Sequence, residues 1–274
     1  MANVWEAMKK HDAEQAEQVE QAGREVGAPK EKAPKPVPGR ENAPVNAKII
    51  SDGQYSELLV VYHDRGGAIT EEYRSLRNNL LAQCPSDRFC YLITSSDPGE
   101  GKTVTCLNLA LVMAERVDCR TVVIDCDLRK SRMAGLLGAR SSPGVAELLR
   151  GSVSLDECVQ PVCCSNLFFI PAGDVRHDET GELIGRPELD EFVGELRRQY
   201  DYVIFDTPPM NFASDAGTLG KVVDEALLVV KMNKTRRESV EKTIRLLHAA
   251  NVKLSGIILT HRKYYIPNYI YRYS

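Results

Sequence analysis

A chain of 274 residues has room for one sizeable core with an extension at either end, since domains run from about 50 to 250 residues. Its 43% hydrophobic and 27% charged content is that of a globular protein, and a formal net charge of -3 excludes the bulk basicity of a nucleic-acid binder. The eight cysteines are scattered with no C-x-x-C, which argues against a metal site and a secreted disulfide framework alike; in runs such as FCYLIT they are expected to be small buried hydrophobes.

In chain order, residues 3–25 are rich in Ala, Glu and Gln and predict a short solvated helix, with Val4, Trp5 and Met8 as a small apolar patch. Residues 1–28 are therefore a candidate docking element. The N-terminus has no apolar h-region, and no apolar run approaches the roughly 18 residues that a membrane span needs. A cytoplasmic protein is expected, touching a membrane only through a partner. Prolines at 29, 34, 36, 38 and 44 among Lys, Glu and Ala make residues 29–55 a linker.

The pattern changes at Ser56. ELLVVY, residues 57–62, reads as a short strand, and TEEYRSLRNNLLAQ, residues 70–83, as a helix with Thr70 at its N-cap and Tyr73, Leu76, Leu80 and Leu81 on one side. Apolar strands follow at 88–95, 120–126, 166–172, 200–206, 225–231 and 254–260, separated by helices at 102–116, 143–150, 187–199, 214–222 and 236–250. Continuous apolar strands alternating with helices describe a doubly wound α/β domain, its mostly parallel sheet covered on both faces, over residues 56–260. Residues 261–274 form a tail that holds Tyr264, Tyr265, Tyr269, Tyr271 and Tyr273, five of the eleven tyrosines in the chain.

Three segments carry chemistry. After the first strong strand, SSDPGEGKT matches G-x-x-x-x-G-K-S/T except that Ser96 stands in the first glycine's place. Ser96, Asp97, Pro98, Gly99, Glu100, Gly101, Lys102, Thr103 and Val104 are the candidate nucleotide-binding residues. Backbone N–H groups and the helix N-terminus would cradle phosphate, Lys102 would reach the outer phosphates, and the Thr103 hydroxyl would meet Mg2+. VVIDCDLR ends a strand with Asp125 and Asp127, which share one side if the extended geometry persists, and VIFDTPP ends another with Asp206. Strand carboxyl ends converge on the ligand crevice of an open parallel sheet, so these carboxylates are candidate ligands for a hard, oxygen-seeking Mg2+.

With these motifs the chain, over about residues 56–274, resembles the bacterial tyrosine kinases, cytoplasmic P-loop proteins of exopolysaccharide and capsule synthesis. The segments 96–103, 122–129 and 203–209 fit the family's Walker A, A' and B motifs. EEYRSLR fits its E-x-x-R-x-x-R element as Glu71, Arg74 and Arg77. The resemblance implies an ATP- and Mg2+-dependent autokinase in which the helix bearing Glu71, Arg74 and Arg77 pairs subunits into a ring, and the tail tyrosines are phosphorylated by the next subunit. It also implies a separate transmembrane activator of the chain-length-regulator type and a tyrosine phosphatase as partners.

The chemistry is coherent with that implication. A phenol of pKa near 10 needs a carboxylate to orient it and take its proton. Asp125 and Asp127 are the candidates, the other serving Mg2+, and the resemblance favours Asp125. Two departures bear on the details: DVRHDETGELIGRP replaces the proline-rich loop common in the family after PAG, and Thr260 stands where an asparagine near the adenine is common. The rival readings are a ParA/MinD-type nucleotide switch, whose signature lysine would fall where this chain has Asp97, and a non-catalytic ATP-binding regulator of polysaccharide export.

Overall fold

The computed structural model describes residues 55–84, 88–176, 179–213 and 215–261. The expected N-terminal helix, most of the linker and the tail tyrosines lie outside these residues.

Seven strands form one sheet in the order β3-β4-β2-β5-β1-β6-β7: β1 Phe89–Ser95, β2 Thr121–Asp125, β3 Gln160–Pro161, β4 Leu167–Ile170, β5 Tyr202–Asp206, β6 Glu225–Lys231 and β7 Leu254–Thr260. Every neighbouring pair is parallel except the short β3 against β4. The helices are α1 Val60–His63, α2 Ala68–Gln83, α3 Lys102–Met113, α4 Met133–Leu137, α5 Val145–Leu149, α6 Leu155–Cys158, α7 Thr180–Ile184, α8 Glu188–Gln199, α9 Asp215–Leu219 and α10 Arg237–Ala249.

The inner strands β4, β2, β5, β1 and β6 are apolar at nearly every position because both faces are covered there, and side chains alternate across the sheet. On one face Phe89, Tyr91, Ile93, Val123 and Ile204 pack with α1 to α4. On the other, Cys90, Leu92, Ile124, Val203 and Phe205 join a core with α5 to α9. At roughly 25 cal/mol per Å2 of apolar surface, each of these fully covered side chains contributes about 1.5–3 kcal/mol before the entropy of ordering is counted. All eight cysteines are free, five of them buried and Cys84, Cys163 and Cys164 half-buried. Among the described residues no helix is long and apolar enough to cross a membrane.

Two expectations at the start of the domain are corrected. Residues 57–62 do not form a strand: a turn leads into α1. The cause is Asn108, fully buried on α3. Its amide donates to the Leu58 and Val104 carbonyls at 3.0 and 2.9 Å and its oxygen accepts Val61 N–H at 3.0 Å, taking groups that a strand would spend on a ladder. Thr70 is not the cap of α2, which begins at Ala68 with Gly67 at the N-cap. Thr70 is buried and donates its hydroxyl back to the Asp64 carbonyl at 2.6 Å. The helical face of Tyr73, Leu76, Leu80 and Leu81 packs on the core as the periodicity predicts. Tyr55, at the end of the expected linker, is buried, and its hydroxyl accepts Cys163 N–H at 2.9 Å.

Candidate nucleotide site

The loop between β1 and α3 is shaped by two glycines with left-handed backbone, Gly99 at φ 80° and Gly101 at φ 95°. Side-chain-bearing residues pay a steric penalty there. Gly101 is the N-cap of α3, so the unsatisfied N–H groups and the positive dipole end of that helix face the loop. Ser96 is fully buried at the end of β1, which explains why only a small residue serves there, and its Oγ has no hydrogen-bond partner.

Lys102, the first residue of α3, sends Nζ to Asp127 Oδ2 at 2.8 Å and lies 3.5 Å from Asp206 Oδ1. The Thr103 hydroxyl donates to Asp206 Oδ2 at 2.7 Å. The sheet register sets Asp125 of β2 directly beside Asp206 of β5. The extended geometry expected for Asp125 and Asp127 does not persist, because β2 ends at Asp125. The chain turns there: Asp127 N–H donates to Asp125 Oδ1 and Met133 N–H donates to Asp125 Oδ2, both at 3.2 Å. The turn still delivers Asp127 to Lys102.

One ammonium therefore faces three buried carboxylates. Burial raises the Lys102 site's cost, yet the nearby Asp206 and Asp127 outweigh it and hold the amine's pKa above its ordinary value. Burial pushes the Asp206 carboxyl up, with Lys102 and Thr103 opposing. Burial, reinforced by the Asp206 charge, pushes Asp125 up to about 8. Asp206 Oδ1 has no hydrogen-bond partner. A surplus of negative charge, with a buried carboxylate oxygen met only by the Lys102 ion pair at 3.5 Å, fits a further cation. Among the described residues no three acidic, His or Cys side chains converge into a complete cage, and Mg2+ held through one or two carboxylates, a hydroxyl, waters and phosphate oxygens does not need one.

Beside the loop lies a cavity of about 530 Å3, bounded by Gly99, Lys102, Thr103 and Asp127 on one side and by Arg129 and Pro209 on another. Arg129 is held by Asp215 at 3.2 Å, a buried carboxylate that the sequence reading did not single out. Asp97, at the rival family's lysine position, accepts the Ser239 hydroxyl at 2.8 Å. Thr260 lies against the phosphate loop, its hydroxyl donating to the Glu100 carbonyl at 2.7 Å.

Glu71, Arg74 and Arg77 are not part of this site. They share one arc of α2, where Arg74 and Arg77 both pair with Glu115, just past the far end of α3. The guanidinium of Arg74 draws the Glu115 carboxyl below its ordinary value. Glu115 is the residue that the sequence reading missed here, for no local motif marks it.

Comparison with known proteins agrees with this architecture. A family profile described as AAA domain matches residues 92–255. Tyrosine-protein kinase YwqD of Bacillus subtilis is 33% identical over 195 residues, 71% of this chain and 81% of that protein. Tyrosine-protein kinase wzc of Salmonella typhimurium is 31% identical over 77% of this chain, which spans only 29% of that longer protein. The kinase domain of Escherichia coli tyrosine kinase ETK superposes with a TM-score of 0.70 at 27% identity, covering 76% of this chain and 83% of that one. A phosphate loop backed by a lysine, by the strand-end Asp125 and Asp206 and by Asp127 just beyond β2, in a chain 33% identical over 195 residues to a tyrosine-protein kinase, leads to one conclusion: the chain belongs to the bacterial tyrosine kinases.

Proposed function

We propose that the protein is an ATP- and Mg2+-dependent autokinase that phosphorylates tyrosines of its own C-terminal tail between subunits, and so regulates exopolysaccharide or capsule synthesis. The observation that carries the reading is the convergence of Lys102, Thr103, Asp127 and Asp206 at the phosphate loop, in a chain with five tyrosines at positions 264, 265, 269, 271 and 273.

In this reading the loop N–H groups and the α3 N-terminus receive the phosphates, and Lys102 moves from Asp127 to the outer phosphate oxygens. There it neutralises charge that develops on the transferred group. Thr103, Asp206 and one of Asp125 and Asp127 hold Mg2+, which when bound supplies further neutralisation of the phosphates. The remaining carboxylate accepts the phenol proton. Burial pushes the Asp125 carboxyl up, and Asp127 lines the cavity. Asn substitution of each separates the roles: loss of the base lowers kcat with nucleotide affinity retained, and loss of the metal ligand weakens Mg-nucleotide binding.

Glu71, Arg74 and Arg77 are assigned to the contact between subunits of a ring. A separate transmembrane activator, docked through the residues around Trp5, would bring the kinase to the inner face of the cell membrane, and a tyrosine phosphatase would reset it. The domain limits of the reading are 1–28, 29–55, 56–260 and 261–274.

The test is the intact mass of the full-length chain after Mg-ATP, beside Lys102→Met and a chain ending at Lys263. A ladder of phosphate additions on the full-length chain alone is expected. Phosphate release from ATP with no added mass, with or without an activator, would overturn the kinase reading in favour of a nucleotide switch.

A further inference from the structure

Glu100 sits inside the phosphate loop, yet the residue is only 2% exposed and is not among those that line the cavity. A buried anion within an anion-receiving loop opposes the ligand's charge, so its retention calls for a compensating role. Its hydrogen bonds supply one. Asp97 N–H donates to Glu100 Oε2 at 2.8 Å, closing the loop on itself. The Thr235 hydroxyl, from the turn between β6 and α10, donates to Glu100 Oε1. The Thr260 hydroxyl, at the end of β7, donates to the Glu100 carbonyl at 2.7 Å.

A second strut runs parallel to the first. The Ser239 hydroxyl of α10 donates to Asp97 Oδ2 at 2.8 Å, and Asn211, beyond β5, donates to Ser239 Oγ at 2.9 Å. The phosphate loop is thereby bonded to segments that are distant in sequence: the β6–α10 turn, α10, the loop after β5, and the residue from which the tail departs.

We propose that Glu100 is a positioning residue. Its carboxylate, braced by Asp97 N–H and Thr235, and its carbonyl, braced by Thr260, hold the loop in its phosphate-receiving shape and couple that shape to the root of the tail. The inference rests on the reading that this loop binds nucleotide. Coupling is reciprocal: a change at the Thr260 junction that weakens the brace lowers nucleotide affinity, and bound nucleotide strengthens the brace.

The experiment is calorimetric titration of the full-length chain with Mg-ADP, normalised to the binding-competent fraction, together with the melting temperature of each nucleotide-free variant. Thr235→Val and Thr260→Val are expected to raise Kd three- to tenfold, and Glu100→Ala at least tenfold. Glu100→Gln should stay within threefold of the parent, because an amide can still accept Asp97 N–H and donate to the Thr235 hydroxyl. A residue that only supports folding would show no such rescue in Kd.

Thr235→Val should add nothing further on the Glu100→Ala background. If Glu100→Ala does not fold, the two threonine variants and Glu100→Gln decide the matter. Parental Kd in both threonine variants overturns the proposal. Should the parent bind Mg-ADP no better than Lys102→Met, the nucleotide reading itself fails and takes this inference with it.

Discussion

Replacing Lys102 by Met is the natural way to silence this site, and it is expected to cost stability as well as activity. The Lys102 side chain is 11% exposed, and it balances Asp127 at 2.8 Å and Asp206 at 3.5 Å. Methionine keeps the volume but leaves both carboxylates without their cation. Removing one partner from a buried ion pair costs about 3–5 kcal/mol. In a folded unit of about 200 residues, each kcal/mol moves Tm by about 2–4 °C, so Mg2+-free Lys102→Met should melt about 6–20 °C below the parent near pH 8. The deficit depends on pH. Burial holds the Asp206 and Asp125 carboxyls above their unfolded values, Asp125 at about 8. The stability that comes from their protonation is therefore present in acid and lost as pH rises through the folded values. Without Lys102 both groups hold their protons more tightly, so the deficit should be small near pH 5.5 and largest near pH 8.5. Melting curves of both proteins in EDTA across that range are the assay. Equal melting temperatures throughout, or a larger deficit in acid, would refute the account.

Other consequences are simpler to measure. Glu115→Ala removes the acceptor shared by Arg74 and Arg77; partly exposed pairs contribute about 0.2–1 kcal/mol each, so a loss of about 1 kcal/mol is expected at pH 7 by denaturant melting. Because the Glu115 carboxyl lies below its ordinary 4.5, that contribution is present above pH 4.5 and should vanish as pH falls through the lowered value. Gly144→Ala should cost about 2 kcal/mol or more, since its Cβ would lie 2.1 Å from the Pro171 carbonyl oxygen and 2.6 Å from Gly173 N. Gly135→Ala, in α4 with nothing within 4 Å of the new Cβ, should be neutral or gain up to about 1 kcal/mol, and equal melting of the two variants would contradict the packing described. A thiol reagent at pH 7.5 should modify no more than three of the eight cysteines within minutes, as burial shields five and pushes the half-buried Cys163 up to about 12. All eight should react in guanidinium.

The long strands were legible because a sheet covered on both faces requires apolar residues at consecutive positions, and runs such as YVIFD and EALLVVK have little other use. Shorter elements left no such signature. β3 is only Gln160–Pro161, and α4, α6 and α7 span barely more than one turn, too little for a 3.6-residue period to register. Residues 57–62 misled because the five apolar residues after Glu57 fit a strand and a turn into a short helix equally well, and the deciding partner, Asn108, lies some 50 residues on. The placement of Lys102, Thr103 and Asp206 followed from motif spacing and from strand ends that converge by topology. What surrounds them was not readable, since Asp215 beneath Arg129 and Thr235 and Thr260 around Glu100 are joined across 86 to 160 residues, and no local pattern encodes such pairs.

The anchoring of Thr260 at the phosphate loop makes the tail a ruler. Backbone extends by at most about 3.3–3.6 Å per residue. Measured from His261, Tyr265 is four residues on and Tyr273 twelve, so their Cα atoms can stand no farther away than about 14 Å and about 43 Å. On the proposed reading, a neighbour's site that receives these tyrosines would lie within that Cα reach of this chain's His261, extended by the length of a tyrosine side chain. On the same reading, the wider the gap between neighbouring subunits, the more the modification would fall to Tyr269, Tyr271 and Tyr273 and the less to Tyr264 and Tyr265. The order in which the tyrosines are modified would then report the distance between adjacent subunits.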